Sequence, residues 1–174
     1  MTTIRRWALA LVTSILLAPI FLASTLSAAA PALAAEAKPK AIAANPATKT
    51  ESLEIVTSRG RTRFTVELAI TKAQQARGLM FRQSLAPDHG MLFPYNPPQV
   101  AAFWMRNTLI SLDIVYIAPD GRVLSIARNA APHDETPIPS GGVIGGVLEI
   151  PGGRAAQLGI LPGDRVLHRI FPKG

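Results

Sequence analysis

From Leu53 onward, apolar and polar positions alternate mostly with a period of two. The clearest run is Phe64, Val66, Leu68 and Ile70, interleaved with Arg63, Thr65 and Glu67. Successive strand side chains point to opposite faces, so this run predicts a half-buried strand with its polar residues outward. Residues 53–56 predict a strand before it, joined through a turn at Ser58, Arg59, Gly60 and Arg61. Thr71 and Gln74 have capping-box spacing, and Gly78 follows as a stop, which predicts a short helix between them. Residues 90–93 and 100–105 predict strands separated by the Pro94, Pro97 and Pro98 break. Residues 112–118 are apolar except for Asp113, the mark of a central strand. Pro119, Asp120 and Gly121 predict a hairpin turn into residues 123–126. Residues 129–142 read as a polar loop shaped by proline and glycine. A strand at 147–150, a short helix at 153–158 and a last strand at 165–171 complete the pattern. The expected fold is mainly β: one compact domain, barrel-like or sandwich-like, with two short helices.

The N-terminal pattern is different. Arg5 and Arg6 precede an apolar stretch from Trp7 to Leu26 and a small-residue tract holding Ala32, Leu33 and Ala34. This predicts a signal peptide over residues 1–34, cut after Ala34, and so a periplasmic or secreted protein. An uncleaved N-terminal anchor is the rival reading, because the stretch approaches the roughly 20 residues that span a bilayer. Residues 35–51 lack periodicity and read as a flexible tether. Residues 52–174 then form the single domain.

Composition narrows the chemistry. The formal net charge is +7, and residues 1–34 carry two of the arginines and no acid, so the cleaved chain would stand at +5. The remaining basic residues form no stripe interleaved with aromatics, which weighs against nucleic acid as a partner. There are no cysteines, hence no disulfide, thiol nucleophile or thiolate metal site. His133, Asp134 and Glu135 are adjacent, His89 and His168 are remote, and neither set has metal-ligand spacing. No serine lies in a nucleophile-elbow context. No cofactor and no metal are expected.

The candidate site centres on the run from Phe103 to Thr108. If it is extended, Trp104 and Arg106 share one face while Phe103 and Met105 face the core. Trp104 then either caps the core with Arg106 lying over it, or offers an exposed flat platform with a cation at its edge for a sugar or other planar ligand. Asn107 and Thr108 either close a turn or present polar groups to a pocket. Asp113 and Glu149 are lone acids in apolar strands, and burying a carboxylate without a partner is costly. Arg82 and Arg106 are the expected partners of Asp113. The candidate ligand-binding set is therefore Trp104, Arg106, Asn107, Thr108, Asp113, Arg82 and Glu149. A non-catalytic envelope module binding a small molecule or an envelope glycan fits it best. The alternatives are a glycan hydrolase using Asp113 and Glu149 as acid and base, and a purely structural or protein-interaction module.

Six motifs occur in order: GLMFR at 78–82, GMLF at 90–93, FWMRNT at 103–108, LDIVYI with its PDG turn at 112–121, LEIPGG at 148–153 and GILPGD at 159–164. In these the chain resembles a bacterial and archaeal family numbered 192 among the domains of unknown function. The resemblance spans about residues 53–169 and implies a small, mainly β, often exported domain. It implies no established activity, cofactor or substrate. Gly78 to Phe81 and the stretch around Gly163 also look like parts of a PDZ domain. They are too far apart in the chain for that compact order.

Overall fold

The computed structural model describes residues 48–172. The expected signal segment, its cleavage point and most of the tether lie outside them. The elements run β1 (Thr50–Thr57), β2 (Gly60–Leu68), α1 (Lys72–Arg77), β3 (His89–Gln99), β4 (Ala102–Phe103) and β5 (Leu112–Ile117). They continue with β6 (Val123–Ala130), β7 (Ile138–Pro139), β8 (Ile144–Pro151), α2 (Arg154–Leu158) and β9 (Arg165–Leu167). Seven strands form one curled half-barrel sheet in the order β6-β5-β8-β3-β2-β1-β9, and β4 pairs with β7 beside it. All pairings in the large sheet are antiparallel except β2 with β3. The mainly β single domain with two short helices is as expected.

The period of two produces two separate cores. On β5, Val115 and Ile117 face inward with Phe64, Val66, Leu68, Leu92, Leu148 and Ile150, and Ala155 of α2 plugs this inner core. Leu112, Ile114 and Tyr116 point the other way, joining Leu79, Met91, Phe93, Met105 and Val147. Each fully buried large apolar side chain contributes about 1.5–3 kcal/mol, and with no cysteine these cores carry the stability. The sheet meets itself at one corner. Arg122 bridges Arg165, and the Val166 and Val123 amides donate to Gly121 and Asp164 carbonyls, each at 2.8 Å.

Several local expectations change. The domain begins earlier than Leu53. Thr50 and Glu51, read as tether, open β1 opposite Glu67 and Val66. The proline-rich break is continuous with the strand before it, and β3 absorbs the prolines through an irregularity between Pro94 and Gln99. Only Ala102 and Phe103 of the expected 100–105 strand pair, with Pro139 and Ile138. Ile70 falls beyond the end of β2 and is exposed. Glu67, expected to face solvent, is buried. The last strand stops at Leu167, and the chain turns through His168 to Phe171.

Candidate functional site

Three loops interlock on the outer face. The Phe81 amide donates to the Asn107 carbonyl at 2.9 Å, the Met105 amide to Asp134 at 2.7 Å, and the His133 amide to Thr108 at 3.2 Å. Phe81, Asn107 and His133 all have positive φ, at 63°, 54° and 63°. Non-glycine residues hold that conformation only where their surroundings impose it, and such strain concentrates at functional sites. The 129–142 loop therefore packs on the Trp104 loop.

Trp104 leaves β4 just before this junction. Met105 is buried, while Trp104 remains 48% exposed. The Arg106 guanidinium lies 5.8 Å from the Trp104 ring centroid, within cation–π range, and is 3.9 Å from Glu135. Of the two placements open to Trp104, the exposed one is observed. Thr108 is buried and its hydroxyl donates to the Arg106 carbonyl at 3.3 Å. Asn107 is exposed and takes the left-handed turn position.

Behind Trp104 is a cavity of about 180 Å³. Phe93, Tyr95, Phe103 and Trp104 supply aromatic walls, and Gly78, Thr108 and Glu149 also line it. Phe103 stands edge-on to Phe93, with centroids 5.2 Å apart. Gly78 ends α1 at φ 48°, ψ −134°. A Cβ there would lie 3.4 Å from Phe93 and 3.8 Å from Glu149 Oε2, so glycine both permits the turn and leaves room in the cavity. Gly90 holds β3 close to β8: a Cβ at that position would stand 2.5 Å from the Glu149 carbonyl oxygen.

Glu149 is the chemical centre of this cavity. It is 5% exposed, and its Oε2 has no hydrogen-bond partner. Burial pushes its pKa up to about 8, against the pull of Arg82 in the other direction. Removing a carboxylate from water disfavours its charged form, so near neutral pH much of Glu149 carries its proton. The pKa of Tyr95 is also raised, first by burial and then by Glu149. Tyr116 is raised by burial above all, and its hydroxyl donates to the Ile138 carbonyl.

Arg82 is committed elsewhere. Its two terminal nitrogens pair with the two Glu67 oxygens, each at 2.7 Å, and both side chains are buried. The expected pairing of Asp113 with Arg82 or Arg106 is therefore replaced. Asp113 is fully buried and accepts three backbone bonds. The Asn129 and Gly153 amides reach Oδ1 at 2.8 and 3.0 Å, and the Ala155 amide reaches Oδ2 at 2.7 Å. It fastens the start of α2, where Gly153 has no capping side chain of its own.

The meeting of Asp113 and Glu149 across one cleft, which the hydrolase alternative requires, does not occur. Glu149 pairs directly with Ile114, and Asp113 with Ile150. Adjacent positions on a strand face opposite ways, so the two acids lie on opposite sides of the sheet. Of the seven candidate residues, Trp104, Thr108 and Glu149 line the cavity, whereas Arg82, Arg106, Asn107 and Asp113 do not. Phe93, Tyr95, Phe103 and Gly78 were missed as site residues. The sequence signal available for them was a cluster of aromatics around the proline-rich segment. Among the described residues, no group of three or more histidines and acids is arranged to hold a metal.

The fold recurs in solved structures. A protein of unknown function from Novosphingobium aromaticivorans DSM 12444 is 52% identical, with a TM-score of 0.67 over 68% of this chain and 85% of its own. A Sinorhizobium meliloti 1021 protein, described provisionally as a transcription regulator, is 40% identical, also at a TM-score of 0.67, over 69% of this chain and 94% of its own. No curated protein matches. The sequence model of one family matches residues 54–168, the span that contains the interlocked loops, Glu149 and all of both cores except Leu53 and Phe171. The chain belongs to that family, DUF192, whose description is Uncharacterized ACR.

Proposed function

We propose that this protein is an exported, non-catalytic binding module that takes a small molecule into the cavity between Trp104 and Glu149. One observation carries the reading: a buried carboxyl oxygen without a partner borders an aromatic-lined cavity. An unsatisfied buried polar atom costs about 1–3 kcal/mol, and a ligand that bonds it recovers that cost. The strained loops that pack beside Trp104 support the same reading. The size of the cavity, about 180 Å³, is below the roughly 300–1,000 Å³ of sites for drug-sized ligands. It favours one small group over a glycan chain. Residues 1–34 support export, and among the described residues no helix is long and apolar enough to cross a membrane.

Nucleic acid fits the surface less well. Arg63 and Arg169 are paired with Glu54 and Glu51, and Arg122, Arg128 and Arg154 donate to backbone carbonyls. These arginines tie the fold together and leave fewer charges for a phosphate backbone. In a Trp7→Phe chain, Trp104 is the sole tryptophan. A fragment library should contain members that shift its emission saturably, and Glu149→Leu should abolish those shifts. A library-wide absence of saturable change would sink the reading.

A further inference from the structure

The ligand class follows from the groups that border the cavity, and this inference rests on the binding reading above. We infer that the cavity selects a small organic cation, whose ammonium group pairs with the Glu149 carboxylate between the rings of Phe93, Tyr95, Phe103 and Trp104. Aromatic faces carry negative potential and attract cations. Two of the donors on the lining are already directed elsewhere. The Gln75 amide donates to the Pro94 carbonyl at 3.1 Å, and the Thr108 hydroxyl donates to the Arg106 carbonyl. Arg82 is matched oxygen for nitrogen by Glu67. Arg77, which also lines the cavity, lies 5.8 Å from the centroid of the exposed Phe81 ring. What borders the cavity without a partner is a buried acceptor, Glu149 Oε2.

Pairing with an ammonium group requires the ionised carboxylate, so binding at neutral pH releases the Glu149 proton. The charged and titratable groups around Glu149 are Arg82 with its partner Glu67, Arg77, Tyr95 and Tyr116. Arginine stays charged at any working pH. Both tyrosines are shifted further toward the neutral phenol. Glu149 is then the group whose proton is exchanged. Cation affinity rises with pH and levels off above about 8.

Calorimetry on the full chain tests this with three probes of one shape: isopentylammonium, isopentanol and isovalerate. Each is titrated at about pH 6 and about pH 9, in two buffers of different ionisation enthalpy. Isopentylammonium should bind at least about tenfold more tightly than isopentanol at the higher pH, a discrimination of about 1.4 kcal/mol. Its affinity should fall about tenfold per pH unit below the Glu149 pKa, with close to one proton released. Glu149→Gln should lose the preference and the proton release while still binding isopentanol, which shows that the cavity is intact. Isopentanol or isovalerate binding as well as the ammonium at about pH 9 would overturn the cation inference and leave the binding reading standing. If none of the three bound, this inference would fall, and the Trp104 fragment screen would decide the binding reading separately.

Discussion

Asp113 and Glu149 look alike in sequence and are opposites in structure. Each is a lone acid in an apolar strand, and the two strands are neighbours in the sheet. Asp113 faces the inner core, where three backbone amides meet its oxygens. Glu149 faces the outer cavity, and one of its oxygens has no partner. The first arrangement satisfies a charge so that a helix can dock. The second leaves a carboxyl unsatisfied beside space that a ligand can fill. The difference is that a buried acid is structural when the backbone meets it and chemically available when nothing does.

The largest expected effect breaks the Asp113 side. Asp113→Ala leaves three backbone amides without their acceptor, that of Ala155 fully buried, and should lower stability by about 3–5 kcal/mol, read from urea unfolding. Asp113→Asn keeps one acceptor oxygen but places its NH₂ against an amide donor, so it should recover only part of that loss.

Glu149→Gln should do the reverse, in a pH-dependent way. The folded-state pKa lies above the unfolded one, so the folded form holds the proton longer. Stability is therefore lost as pH rises from the unfolded value of about 4.3 toward about 8, and is flat beyond. The glutamine variant lacks that loss. It should match the parent near pH 4 and exceed it by a few kcal/mol near pH 9. A parallel pair of pH profiles would show that Glu149 is satisfied like Asp113.

Gly78→Ala should cost about 1–3 kcal/mol through its backbone angles, and its methyl should also reduce binding by narrowing the cavity. Trp104→Ala should change stability least, by about 0.5 kcal/mol or less, because the ring is exposed. It should still weaken any ligand that the cavity holds. A large loss of stability would return Trp104 to the core.

Local signals were legible where the deciding partners were close in the chain. The alternation of Phe64, Val66 and Leu68 gives β2, and Thr71 with Gln74 forms the capping box of α1. Glu67 was misread because its partner, Arg82, sits fifteen residues on. A period-two pattern cannot show that a polar residue is buried in a pair. The parallel pairing of β2 with β3 likewise depends on how α1 and the loop after it return the chain. For the site, Trp104, Thr108 and Glu149 were found by residue type. Phe93, Tyr95 and Phe103 converge only because β3 curls past β4 and β8. Which way Asp113 faces relative to Glu149 follows from strand alternation only once the register of β5 with β8 is known.

The corner where the sheet meets itself also bears on how the molecule behaves among its own copies. β9 is three residues long, with β1 on one side and residues 121–123 on the other. An exposed strand edge is a template on which other chains can add by main-chain pairing, in aggregation as in strand exchange. At this corner the template is occupied by the protein itself. Association there has no backbone ladder to extend, which leaves side chains to set specificity.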